Sequence, residues 1–451
     1  MRVAPPVLPG SANTAESPID RALSLAVTDE REAALRWAAA IVKHDPAMPS
    51  ALCLCGRLLG ELGRHETARE ACRLAVTRSI DFENLPLAVA AARELERFGG
   101  DPAPLLEDIA SAFCKGSTRV GVGAPPPPPL PTVDELHPIA SVLSGVALVN
   151  KATEIIHEAK RKLDAEHDRP GVGRLALFSS LGKEALIGFC RAFRPIWVAQ
   201  GSTVIQQGAI GSEAYFVARG ELEVRRDREG AETIALARLS NGAIFGEMAL
   251  LSRAPRTGSV VTTRPSIVLE VTREALEQLA EEQSEVGAEL AAHCRSRMFQ
   301  NLVRISDVLA VVPLSSRPAL IERCQTRSFE PSERLIVQDQ APPGLFLIAS
   351  GEVAVVRHDE GSDGEPLVIA TLGPGDVAGE VAMVLRRKAN ADVIAVHPTV
   401  TLLLTTEDFM GLIKEHPQIL LELYQIAIRR DAETASILAE EPSEAEDFDL
   451  V

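Results

Sequence analysis

The feature that most constrains this 451-residue chain is an internal duplication. Leu177-Phe178-Ser179-Ser180-Leu181 with Ala185-Leu186-Ile187 is echoed by Val312-Pro313-Leu314-Ser315-Ser316 with Ala319-Leu320-Ile321. Ala214-Tyr215-Phe216-Val217-Ala218-Arg219-Gly220-Glu221-Leu222 recurs as Leu345-Phe346-Leu347-Ile348-Ala349-Ser350-Gly351-Glu352-Val353, a shift of 131. The shift is 133 at Gly246-Glu247 against Gly379-Glu380, and it holds at Pro265 against Pro398 and Thr272 against Thr405. The two added residues fit the loop around His358 to Glu365. Both copies must therefore adopt one fold. Each has short strand-like runs between turn signals, such as Ser202-Thr203-Val204-Ile205, then a helix whose expected N-cap is Thr272 or Thr405.

Between strand-like runs of the first copy stands Phe245-Gly246-Glu247-Met248-Ala249-Leu250-Leu251-Ser252-Arg253-Ala254-Pro255-Arg256-Thr257. A Gly-started turn that opens a short helix exposes backbone N–H groups and attracts an anion. Arg256 supplies a planar, permanently charged fork suited to phosphate. Glu247 beside a phosphate makes sense if it accepts from a hydroxyl, so the ligand carries a monoanionic phosphate next to a ribose 2′-OH. A cyclic nucleotide fits.

These residues resemble the phosphate-binding cassette of the cyclic-nucleotide-binding domain family, roughly F-G-E-[LM]-A-L followed by P-R-[AT]. The resemblance implies Glu247 on the ribose 2′-OH and Arg256 on the cyclic phosphate, with Gly246, Met248 and Ala249 giving backbone approach and N–H donors. It also implies an eight-stranded jelly roll with flanking helices for each copy, from about Leu175 to Ala435. In the family Thr at the position of Thr257 occurs with cGMP and with some cAMP-responsive members, so cAMP and cGMP both stay open, with cAMP preferred as the commoner ligand. Met298, Phe299 and Val303 on the following helix are candidates to cover the purine; core packing is the default for all three.

The second cassette reads Ala378-Gly379-Glu380-Val381-Ala382-Met383-Val384-Leu385-Arg386-Arg387-Lys388-Ala389-Asn390. Gly379, Glu380, Val381 and Ala382 keep the turn, but Ala389 stands where the first copy has Arg256. A buried phosphate there has no cation, at a cost of several kcal/mol. The second site is expected to be degenerate, binding cyclic nucleotide weakly or not at all, with Arg386-Arg387-Lys388 a solvated basic patch.

Ahead of the duplication, residues 17–117 read as helices with Ala and Leu at helical spacing. Leu52 to Ile80 resembles a tetratricopeptide repeat, with Gly56, Leu59, Gly63, Ala68, Cys72 and Ala75 at its small or apolar positions, and the 34-residue period reaches back to Ala22, Leu25, Ala34, Ala38 and Ile41. A third unit runs from Leu87 to Phe113. Such repeats commonly take a peptide or partner helix on their concave side, so a protein partner is expected there; a plain helical bundle is the alternative. Residues 118–138 hold Pro125 to Pro129 and read as a semi-rigid spacer separating two globular parts. Residues 139–174 contain a connecting helix with Val142, Val146, Val149 and Ile156 on one face and a surface Glu158–Lys162 pair, leading into the first domain. Domains are expected at 175–305 and 306–435, with an acidic tail at 436–451.

Composition narrows the function. The net charge of −17 and 4% aromatic content argue against a nucleic-acid surface, and the acidic C-terminal run sets aside a transcription regulator with a basic helix-turn-helix. The first seventeen residues lack the apolar core of a secretory signal, and no run reaches membrane-span length. Seven scattered cysteines and nine histidines form neither a disulfide framework nor metal spacing, so no metal and no cofactor beyond the ligand are expected. No Walker loop, nucleophile elbow or kinase signature appears, so no enzyme is expected.

The sequence thus predicts a cytoplasmic α+β multidomain protein: helical repeats, then two tandem β jelly rolls, sensing cAMP or cGMP in the first. Tandem copies resemble the regulatory subunits of cyclic-nucleotide-dependent protein kinases, although neither a dimerisation-docking helix pair nor an inhibitor sequence is found. The alternative is a scaffold whose barrels mediate protein contacts.

Overall fold

The computed structural model describes residues 17–120, 129, 131, 132, 135, 136, 143–165, 172, 175, 177–228, 231–250, 255–310, 312–358 and 366–440. Most of the polyproline run, residues 251–254 of the first cassette, the loop at 359–365 and the acidic end beyond 440 lie outside the described residues. By backbone contacts the chain divides into two units, Met1–Val204 with Tyr215–Ile244 and Ser259–Val271, and Ile205–Ala214 with Phe245–Gly258 and Thr272–Val451.

The first unit begins with helices α1 (Pro18–Val27), α2 (Arg31–His44), α3 (Pro49–Glu61), α4 (His65–Asp81), α5 (Leu85–Arg97) and α6 (Ala103–Phe113). Prolines in the first turns of α1, α3 and α5 pre-set the backbone, and the Ser17 and Asn84 side chains accept the N–H groups of Asp20 and Leu87. Small residues set the helix spacing: a Cβ on Gly56 would stand 2.6 Å from the Cys72 sulfur. Helix α7 (Gly145–Asp164) packs against α2, α3 and α4. Its Lys160 and His157 reach Glu70 of α4 at 3.0 and 3.2 Å.

That placement corrects two expectations. The buried stripe of α7 is Leu148, Val149, Ala152, Ile155, Ile156 and Ala159, while Val146 is 71% exposed in an uncovered first turn; Val142 lies outside the described residues. Nor does the helix simply lead onward: it closes over the N-terminal helices. Glu158 and Lys162 are both exposed as expected.

After α8 (Lys183–Ala192) come β1 (Arg194–Val198), β2 (Thr203–Ile205), β3 (Glu213–Arg219), β4 (Leu222–Arg228), β5 (Ala231–Leu239), β6 (Ile244–Phe245), β7 (Ser259–Thr262) and β8 (Ser266–Thr272). They form two four-stranded sheets, ordered β1-β8-β3-β6 and β2-β7-β4-β5. The registers Arg194↔Glu270 and Trp197↔Ile267 pin β1 to β8. Phe178, Phe189, Phe193 and Phe216 interlock with centroids 5.0 to 6.5 Å apart, mostly edge to face, each pair adding about 0.5–1.5 kcal/mol beyond area burial.

Far from being held apart by the proline-rich segment, helices and sheet in this unit are in contact. Asp20 of α1 is 2% exposed; its carboxylate lies 2.7 Å from Arg219 Nη1 and 2.6 Å from Arg264 Nη2. On α5, Glu94 accepts from Trp197 Nε1 at 3.0 Å, and the Asn84 amide donates to the Ala218 carbonyl at 2.9 Å. Arg57 of α3 stacks 4.5 Å above the Trp197 ring. The odd-numbered helices α1, α3 and α5 therefore present one face to the first sandwich. Its three receiving residues, Trp197, Arg219 and Arg264, become Ser328, Ser350 and His397 in the second copy, which lacks the matching chemistry.

In the second unit, α9 (Arg273–Glu282) and α10 (Ser284–Ile305) are followed by α11 (Asp307–Ala310) and α12 (Arg317–Arg323). The second sandwich comprises β9 (Gln325–Phe329), β10 (Arg334–Ile336), β11 (Gly344–Ser350), β12 (Val353–Arg357), β13 (Leu367–Leu372) and β14 (Val377–Ala378), then α13 (Glu380–Val384), β15 (Asp392–Ala395) and β16 (Thr399–Thr405). Its sheets are ordered β14-β11-β16-β9 and β10-β15-β12-β13, the repeat of the first pair. Helices α14 (Thr406–Glu415) and α15 (Pro417–Glu440) close it. Thr272 and Thr405 cap α9 and α14 as predicted, accepting from Ala275 N and Asp408 N at 3.2 Å each.

The α+β class, the N-terminal helices and the two β-sandwiches with flanking helices thus stand as the sequence indicated.

Candidate functional site

Gly246 has φ +75°, and a Cβ there would lie 2.9 Å from Ile205 Cδ1, 3.0 Å from Arg256 Nη1 and 3.1 Å from the Glu213 carbonyl. Backbone conformation and crowding both require glycine. Beyond it Glu247–Leu250 makes one 3-10 turn, with Ala249 N donating to Gly246 O at 3.1 Å. Glu247 is 5% exposed, and Arg297 of α10 reaches its Oε1 with Nε at 3.4 Å.

The same two helices hold the turn's backbone. Arg273, opening α9, donates from Nε to Ala249 O at 3.0 Å and again from Nη2. Cys294 of α10 lies with its sulfur 3.7 Å from Glu247 O. Burial pushes that thiol up to about 12, so it packs rather than reacts. Met248 is half-buried against the cluster that contains Met298, Phe299 and Leu302. Met298 and Phe299 are each 1% exposed there, and Val303 packs against them, so all three candidate lid residues are core in this structure.

Arg256 folds over the glycine turn with its side chain only 8% exposed. Nη1 donates to Gly246 O at 2.9 Å, and Nη2 to Glu213 O at 2.7 Å with the Glu213 carboxylate 3.4 Å away. Its backbone is clamped as well: Arg256 N donates to Ala209 O and Gly208 N to Arg256 O, both at 2.9 Å. Thr257 is exposed beside it. Gly246, Glu247, Met248, Ala249 and Arg256 are thus brought into one locality.

The second copy reproduces this frame with different chemistry. Gly379 has φ +93°, and a Cβ there would lie 2.7 Å from the Gly344 carbonyl. Ala389 N donates to Gln340 O and Asp339 N to Ala389 O at 2.9 and 2.8 Å, the same backbone bridge as at Arg256. The side chain at that bridge is now a buried methyl. Glu213 has also gone, replaced by Gly344 at the 131-residue shift, so guanidinium and counter-carboxylate are lost together. Glu380 is 2% exposed and accepts from Arg430 Nη1 of α15 at 2.6 Å; burial raises its carboxyl pKa. Val381 and Ala382 follow in α13. Arg386, Arg387 and Lys388 are exposed as expected, and Arg387 pairs with Asp431.

Three partners escaped the sequence reading: Glu213, Arg297 and Arg430. The duplication held the signal for the last two, since Arg297 and Arg430 stand 133 apart and each follows its glutamate by 50 residues. Among the described residues no helix is long and apolar enough to cross a membrane, and no group of three or more His, Cys, Asp or Glu is arranged for a metal ion.

The sequence pattern of the family described as cyclic nucleotide-binding domain matches residues 195–283 and 326–416. The cAMP-dependent protein kinase regulatory subunit of Yarrowia lipolytica is 26% identical over 256 residues, 57% of this chain and 61% of that protein. The cGMP-dependent protein kinase egl-4 of Caenorhabditis elegans is 26% identical over 315 residues, 66% of this chain and 39% of that protein. The chain therefore spans 39% to 61% of the length of these curated relatives. Among solved structures, the regulatory domain of Toxoplasma gondii PKA with cAMP aligns at 22% identity over 56% of this chain and 92% of that one, with a TM-score of 0.29. Two matches to one family fall on the two sandwiches with their cassettes: the chain carries tandem cyclic nucleotide-binding domains and is homologous to the regulatory subunits of cAMP-dependent protein kinase.

Proposed function

We propose that this protein is a non-enzymatic, cytoplasmic regulatory sensor that binds cAMP in its first sandwich and passes a helix rearrangement to a protein partner. Arg256 takes the cyclic phosphate and Glu247 the ribose 2′-OH, with Gly246, Met248 and Ala249 supplying backbone approach and donors and Thr257 facing the base. The observation that carries the reading is the Arg256 guanidinium, held by the carbonyls of Gly246 and Glu213 beside a glycine turn in a domain of this family. Relatives named for cAMP and for cGMP both support a cyclic nucleotide.

A ligand shifts a conformational equilibrium only by its differential affinity for the two states. Arg273, Cys294 and Arg297 tie the cassette to α9 and α10, so a ligand that moves the turn acts on those helices directly. The faces of α1, α3 and α5 that contact the sandwich are engaged within the chain, which directs a partner of the N-terminal helices to their remaining surface.

Titration calorimetry with cAMP and cGMP on the full chain tests this. One site per chain, abolished by Arg256→Ala, is expected. Absence of heat with either nucleotide rejects the sensor and leaves the scaffold reading.

A further inference from the structure

The second sandwich encloses a cavity of about 240 Å³. Ile336, Val355, Leu372 and Val393 form much of an apolar wall, and Glu380, Asn390, Arg430 and Glu433 supply polar groups. The wall is continuous with Ala389, whose methyl occupies the position of the first cassette's guanidinium and joins the sandwich core.

Charge at this cavity disfavours an anion. Arg430 Nη1 already serves Glu380 Oε1 and Val377 O at 2.6 Å each, and its Nη2 lies 3.6 Å from Asp376. The carboxylates of Glu380, Glu433 and Asp376 outnumber that one guanidinium. A phosphate entering here would lose its hydration and gain no cation to replace it. What the copy retains is the glycine turn and the glutamate, the part of the cassette that addresses a sugar hydroxyl. What it lost, Arg256 and Glu213 together, is the part that addresses phosphate.

We propose that the second sandwich is a binding site for an uncharged ligand with a ring-shaped apolar body and a ribose-like hydroxyl pair, a nucleoside in place of its cyclic phosphate. The hydroxyl donates to Glu380, the Asn390 amide meets polar edges of the ring, and the aliphatic wall covers its faces. The assignment rests on the reading that Glu247 accepts a ribose hydroxyl in the first sandwich.

The test uses the full chain with Arg256→Ala, which silences the first site and leaves the second cavity untouched. Adenosine, guanosine, 2′-deoxyadenosine and cAMP are titrated by calorimetry, with wild-type protein and cAMP alongside. One adenosine or guanosine per chain is expected, weakened about tenfold or more by loss of the 2′-OH, the cost of one hydrogen bond to a charged acceptor. Ala389→Leu fills the chamber and leaves the Glu380–Arg430 pair intact, and it should abolish nucleoside binding without unfolding the protein. Overturning results are no nucleoside binding by the Arg256→Ala chain, tighter binding of cAMP than of adenosine by that chain, or unchanged binding in Ala389→Leu. If wild-type protein binds cAMP while the variant binds no nucleoside, this proposal fails alone. If the variant binds nucleoside while wild-type protein ignores cAMP, the sensor reading fails instead.

Discussion

Arg256 donates to the backbone carbonyl of Glu213 at 2.7 Å while that residue's own carboxylate waits 3.4 Å from the same nitrogen. The carbonyl orients the guanidinium and the carboxylate partly neutralises it. An incoming phosphate meets both.

Glu213→Gln keeps the carbonyl and removes the charge. Because the Glu213 side chain is 34% exposed, screening limits the gain, and cAMP affinity should rise only about two- to fivefold. Arg256→Lys keeps charge without the planar fork and should lose about tenfold, short of the near-complete loss in Arg256→Ala. Calorimetry on the three variants checks the order; equal affinity of Arg256→Lys and wild type would exclude fork recognition.

Removing Arg297 leaves the Glu247 carboxylate buried without its partner. Arg297 is itself 39% exposed, so the cost is discounted to about 1–2 kcal/mol for Arg297→Met. Glu247→Gln in the same chain should recover most of that loss of stability while weakening cAMP. A urea-melt double-mutant cycle showing simple additivity would mean the two residues do not interact.

Asp20→Asn withdraws the carboxylate shared by Arg219 and Arg264. Arg219 is 9% exposed, and burial lowers its pKa against the opposing pull of Asp20. An unpaired buried guanidinium costs about 3 kcal/mol or more, so the first unit should unfold earlier on heating. Hydrogen exchange should rise in α1 and around Arg219. Unchanged protection there would show that Asp20 does not fasten the helices to the sheet.

His293 lies on α10 one residue before Cys294, with Nε2 buried and without a hydrogen-bond partner. Burial lowers its pKa, reinforced by Arg297, so the folded chain keeps the ring neutral to lower pH than the unfolded chain does. The resulting stability is complete above the unfolded value of about 6.5 and is lost as pH falls from there through the depressed folded value. His293→Phe should flatten the drop in urea midpoint between about pH 7.5 and about pH 5.5, the window that the linkage relation defines. An identical pH profile in the variant would clear His293 of the effect.

Much of the candidate site could be read along the chain because the cassette is local: Gly246 to Arg256 spans one turn and its return, and glycine, acid and cation carry their chemistry in their identities. The duplication added a comparison inside one molecule, which made Ala389 visible as a lost cation. Arg297 and Arg430 lie 50 residues beyond their glutamates, and nothing local marks a helical arginine as the partner of a particular carboxylate. Glu213 was hidden for another reason, since much of its role falls to a backbone carbonyl that every residue possesses.

By itself the sequence determined two copies of one sandwich, their caps, their glycine turns and the unequal chemistry of their cassettes, because each follows from residue identity at short range. Only the tertiary structure decided that α7 closes over the N-terminal helices and that α1, α3 and α5 meet the first sheet through Asp20, Arg57, Asn84 and Glu94. Those contacts join residues separated by a hundred positions or more, as Glu94 and Trp197 are, and their partners are selected by burial and geometry, which leave no periodic trace in the chain.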